Sequence, residues 1–192
     1  MLLKTFVLLA VVGLILPWFS TNQAGFTVGL YDFAEWVSLH PLERSAEVPM
    51  LTAFLLRLQV AITIILWLTA VKEIPRLWWL LVLALCCLAQ LPPINAVAEW
   101  RDPNYLQQFL ITLGTLFAAL LTRRIHARAA LVLAGSVLAL ASTSVALIAA
   151  QGLVAGFNLF SPPTTGAWLY ITAMLVLAIH AGTAILRTKQ TG

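Results

Sequence analysis

Arg57 is the one charged side chain inside the hydrophobic stretches of this chain. A guanidinium at membrane depth costs about 2.5 kcal/mol or more unless it is paired or reaches water. Two chemistries suit it. With Gln59 beside it and Gln90 on the next hydrophobic stretch, it could hold an anion or a partner group in a cavity. Alternatively, it forms an ion pair with one of the acids flanking the stretch: Glu35, Glu47, Glu99 or Asp102. The second reading is adopted. It predicts that Arg57 ties the 20–48 segment or the 99–103 loop to the bundle.

His180 is the other titratable group at membrane depth. Seven residues before Arg187, it lies about 10 Å from the end of its stretch. Ala178, Ala181, Gly182 and Ala184 surround it. Small neighbours let an imidazole reach the metal of a flat macrocycle, haem or a chlorophyll-type pigment. They equally allow close helix packing, with His180 bonded to a neighbouring hydroxyl. No second intramembrane histidine is available for a bis-histidine haem, since His40 and His126 fall in loops.

Catalytic chemistry finds little support. All seven acids lie outside the hydrophobic stretches, which removes intramembrane carboxylate catalysis and weakens a cation-coupled carrier. No nucleophile elbow, zinc-binding HExxH or phosphate-binding glycine loop occurs. Cys86 and Cys87 are adjacent, so on a helix they point about 100° apart and do not pair. They read as packing residues, and no metal site is expected.

The elements that hold these residues follow from composition. The chain has 192 residues, 61% of them hydrophobic and 9% charged, with mean hydropathy +0.97. Soluble domains carry about 25% charged residues, so this chain reads as an integral membrane protein. At about 20 residues per crossing, the expected fold is all-α, a single membrane domain over 1–192. It is a bundle of six transmembrane helices over 5–19, 49–71, 77–98, 105–121, 129–153 and 167–186. The first resembles a signal peptide, but its cleavage signal is poor because Asn22 stands three residues before the cut at Ala24. It is read as a retained helix. Pro49 suits a first-turn position, and Pro92-Pro93 interrupt the third span. In the outer loop 20–48, Leu30, Phe33, Trp36 and Val37 recur at helical spacing, predicting a short interfacial helix.

Charge orients the bundle. Lys4, Lys72, Arg76, Arg123, Arg124, Arg128, Arg187 and Lys189 fall on one side with a single acid, Glu73. Arg44 and Arg101 fall on the other with six acids. The positive-inside rule then predicts both termini in the cytoplasm, in a plasma (inner) membrane. The tryptophans are expected in two interfacial belts, with Trp18, Trp36, Trp100 and Trp168 at one and Trp67, Trp78 and Trp79 at the other. Basic residues used this way are orientation signals, and no nucleic-acid surface is expected.

Small residues four apart, Gly114 with Ala118, Ala130 with Ala134 and Ala146 with Ala150, predict tight helix contacts. The function expected from these features is that of a non-enzymatic membrane subunit, an accessory or scaffolding component among lipids and other integral membrane subunits. The alternatives are a small transporter or channel for a neutral or anionic solute, using Arg57, Gln59 and Gln90, and a pigment-binding subunit using His180.

Overall fold

A computed structural model describes residues 2–20, 27–45, 50–99, 101–155 and 162–190. Helices account for nearly all of it. They are α1 (Leu2–Ile15), α2 (Leu30–Leu39), α3 (Pro41–Arg44), α4 (Leu51–Ala70), α5 (Arg76–Gln90), α6 (Pro103–Arg124), α7 (Arg128–Ala155) and α8 (Thr165–Gln190). A two-residue antiparallel pair, β1 (Phe19–Ser20) with β2 (Thr27–Val28), closes the loop after α1.

Four helices, α4, α6, α7 and α8, are long and apolar enough to cross a membrane, as expected for an all-α membrane protein. The other two expected spans are shorter than read from sequence. α1 has 14 residues and α5 has 15, so they reach about 21 and 22 Å against a hydrocarbon core of about 30 Å. The expected 77–98 span stops at Gln90. Pro92 and Pro93 cannot continue an α-helix, and Ile94–Glu99 is a 3-10 turn instead.

α4 is the hub. It packs on α1, α2, α5, α6 and α7. α1, α8, α7 and α4 close a four-helix ring, each packed on the next, while α5 leans on α6 at the far side of α4. α2 and α3 lie at one end of this bundle. Within α2, Leu30, Phe33, Ala34 and Val37 are buried, so the predicted amphipathic helix over this loop exists. Residues 21–26 and 46–49 of the loop, with Glu47 and Pro49, lie outside the described residues.

The tightest crossing joins α1 to α8. A side chain at Gly13 would sit 2.8 Å from the Tyr170 backbone nitrogen. One at Gly166 would meet the Leu16 and Pro17 carbonyl oxygens. That contact lets the Gly166 N–H donate to the Pro17 carbonyl at 2.8 Å and the Thr164 N–H to the Trp18 carbonyl at 2.8 Å. The Trp18 indole N–H donates to the Gly13 carbonyl at 2.8 Å. Trp18 is thus a buried anchor, contrary to its expected place in an interfacial belt. Trp79 is likewise buried, donating to the Leu68 carbonyl at 3.1 Å under the Arg123 guanidinium. Their N–H groups find backbone acceptors inside, which removes the reason to seek headgroups. Trp100 lies outside the described residues.

The end opposite α2 gathers the basic segments. Glu73 receives Arg128 at 2.7 Å and Lys4 at 3.6 Å, and Lys72 reaches the Ile125 carbonyl. The Arg128 hydrogen bond and charge, with Lys4 beside them, hold the Glu73 carboxyl below its usual value of 4.5. A depressed carboxylate contributes stability that is present above that usual value and lost as pH falls through the lower, folded one. Thermal unfolding in detergent is therefore expected to show an acid limb that begins below pH 4.5 and is blunted in Glu73→Gln. An identical acid limb in the two proteins would assign the loss to other groups.

Candidate functional site

Arg57 is 3% exposed, and its partners come from two other elements. Its Nη2 donates to Glu35 Oε1 at 2.7 Å and to Asn104 Oδ1 at 2.5 Å. Its Nη1 donates to Gln107 Oε1 at 2.8 Å. Of the four acids in sequence reach, Glu35 on α2 makes the pair. The 20–48 segment, and not the 99–103 loop, is the one tied to Arg57 by charge.

Glu35 is itself held. Gln108 Nε2 donates to its Oε1 at 2.6 Å and Asn104 Nδ2 to its Oε2 at 3.3 Å. Asn104, Gln107 and Gln108 stand at i, i+3 and i+4 on α6 and share one face. The start of α6 sets their height. Pro103 takes the first helical turn, and Asp102 caps it by accepting the Asn104 N–H at 2.8 Å. Gln107 also donates to the Met50 carbonyl at 3.1 Å, and Tyr31 reaches Gln108 at 3.5 Å. The result is a lattice of amides around one ion pair, joining α2, α4 and α6.

The start of α4 is built from the same loop. Met50 adopts a left-handed conformation, with φ of 60°. The buried Glu43 carboxylate of α3 accepts the Thr52 N–H at 2.5 Å and the Ala53 N–H at 3.3 Å. An anion on free N–H groups at a helix N-terminus is favourable by about 0.3–2 kcal/mol. Glu43 therefore caps α4 from outside the helix, a role its sequence position did not announce.

The other expected site residues separate. Gln59, two residues from Arg57, points to the opposite side of α4, about 200° away. It is fully buried and fully bonded. It donates to Ser142 Oγ at 2.9 Å and to the Leu55 carbonyl, and accepts from the Tyr170 hydroxyl at 3.2 Å. It locks α4 to α7 and α8 and does not join Arg57. Gln90 is buried on α5 and bonds weakly, with the Cys86 carbonyl at 3.4 Å and Thr115 at 3.5 Å. It meets Arg57 only across a void of about 10 Å³, shared with Tyr31, Val60, Gln108 and Ile111.

His180 lies on the exposed face of α8. Among the described residues its imidazole has no hydrogen-bond partner, and its neighbour Gly182 faces open space. Of the small-residue pairs, Ala146 and Ala150 are buried in α7, which packs on α4 and α8. Gly114, Ala130 and Ala134 face outward. Asn104 is the functional candidate that the sequence reading missed. Its signal was the shared face with Gln107 and Gln108, opposite the one charged residue of α4.

No family model, curated protein or solved structure matches the chain.

Proposed function

We propose that this chain is a non-catalytic subunit of a larger membrane assembly. It has six spans, the short α1 and α5 included, with both termini in the cytoplasm of a plasma (inner) membrane. The partner surface is the outer face of α8. One observation carries this reading: His180 points outward, without a partner among the described residues, about 10 Å from the Arg187 end of its hydrophobic stretch. Ionisable side chains at that depth almost always face protein or water, because exposure to lipid is costly. Thr183, one turn on and exposed on the same face, extends that surface.

Arg57 supports the same view from inside the bundle. Its guanidinium is engaged by Glu35 and the α6 amides, and the adjacent void of about 10 Å³ holds about one water at most. That leaves a transported solute no room beside Arg57 in this conformation.

Native membranes solubilised in mild detergent provide the test. The protein is expected to run well above its 20.9 kDa monomer mass. Thr183→Trp, on the same exposed face as His180, is expected to run as a monomer with unchanged melting. A wild type that is strictly monomeric in native membranes would end the proposal. A macrocycle on His180 is a second reading favoured by the same exposed imidazole, and an absorption spectrum separates it: a colourless preparation retaining its lipids removes it.

A further inference from the structure

A second, mostly apolar space has no contribution from Arg57 in its lining. It is a cleft of about 520 Å³ between α1 and α5, floored by α4 and roofed by the start of α2. Leu8, Leu14, Val60, Ile64, Trp67 and Cys86 make its walls. The lining runs from Ile15 to Leu8 on α1 and from Val60 to Trp67 on α4. Each stretch is eight residues, whose seven rises span about 10 Å. That depth is most of one leaflet of a core about 30 Å thick.

The size suits a small apolar occupant. A single hydrocarbon chain fits a cavity in the small-molecule range of about 300–1,000 Å³.

The mouth decides the headgroup. Asp32, in the first turn of α2, lines it, is exposed, and has no ion pair among the described residues. The nearby Glu35 and Arg57 neutralise each other at 2.7 Å. The rim is thus left with one net negative charge, which attracts a cation and repels an anion.

We infer that this cleft is a lipid site: it takes one acyl chain of an ethanolamine phospholipid, whose ammonium group sits on the Asp32 carboxylate. The inference concerns a different face from the α8 surface proposed above and stands or falls separately from it. An exposed ion pair contributes about 0.2–1 kcal/mol, so the headgroup preference expected is about 1.4- to five-fold. The chain supplies most of the affinity through burial of apolar surface.

Native mass spectrometry of the full chain tests it, with phosphatidylethanolamine and phosphatidylglycerol of matched chains added in equal amounts. The wild type is expected to retain one phosphatidylethanolamine in preference to phosphatidylglycerol. Asp32→Asn is expected to keep a lipid but lose the preference. Val60→Trp, which fills the floor, is expected to cut retention of both lipids about ten-fold with unchanged melting. Leu14→Trp, from the opposite wall, serves if Val60→Trp does not fold. Equal retention of the two lipids by the wild type overturns the inference. So does wild-type binding in a correctly folded cleft-filling variant, or a protein segment in the cleft that the tryptophan displaces.

Discussion

Glu35→Ala is expected to destabilise the protein by about 3 kcal/mol, more than Arg57→Leu does. Removing one partner of a buried pair leaves an uncompensated charge, at about 3–5 kcal/mol. The two partners are not equivalent. Arg57 is 3% exposed and has nowhere to turn, whereas the Glu35 side chain is 33% exposed and can rotate toward water. The remaining bonds from Arg57 to Asn104 and Gln107 keep the loss near the lower end. Replacing both partners by apolar residues is expected to recover part of it, because a well-packed apolar pair is often as stable as the ion pair. Chemical unfolding in detergent, followed by circular dichroism, measures all three variants. Equal losses for the two single variants, or a parental midpoint for Glu35→Ala, would mean that the pair does not hold α2 on the bundle.

Gly166→Ala is expected to be at least as severe, about 3 kcal/mol or more, at the top of the range for overpacking. The added methyl meets the Leu16 and Pro17 carbonyl oxygens. These are backbone atoms, so no side-chain rotation relieves the contact. Moving them breaks the Gly166 and Thr164 hydrogen bonds that join α8 to the end of α1. Gly114→Ala is the matched control. Nothing lies within 4 Å of a side chain added there, and alanine is the better helix former by about 1 kcal/mol. Parental stability in Gly166→Ala would show that α1 and α8 separate readily at this end.

The residue-level sorting of polar groups was only partly legible in sequence. The reading that Arg57 seeks a carboxylate followed from the cost of an unpaired guanidinium. Which carboxylate could not follow, since Glu35, Glu47, Glu99 and Asp102 all flank the same side. Grouping Gln59 with Arg57 failed for a helical reason. Residues two apart diverge by about 200°, and α4 is buried on both sides, so each amide serves a different neighbour. Glu43 read as a loop acid because a cap supplied by another element leaves no mark in the helix it caps. Trp18 and Trp79 read as interfacial because composition cannot distinguish an indole at a headgroup from one on a buried carbonyl.

Sequence by itself determined the helical, membrane-compatible class, the helix between the first two hydrophobic stretches, and the sorting of basic and acidic loops. Hydrophobicity, periodicity and charge are local properties summed along the chain, so they survive without coordinates. The tertiary structure alone decided that α4 is the hub, that Glu35 is the partner of Arg57, that His180 faces outward, and that a cleft opens between α1 and α5. Each depends on which faces of separate helices meet. A helix exposes every face equally until its neighbours are placed.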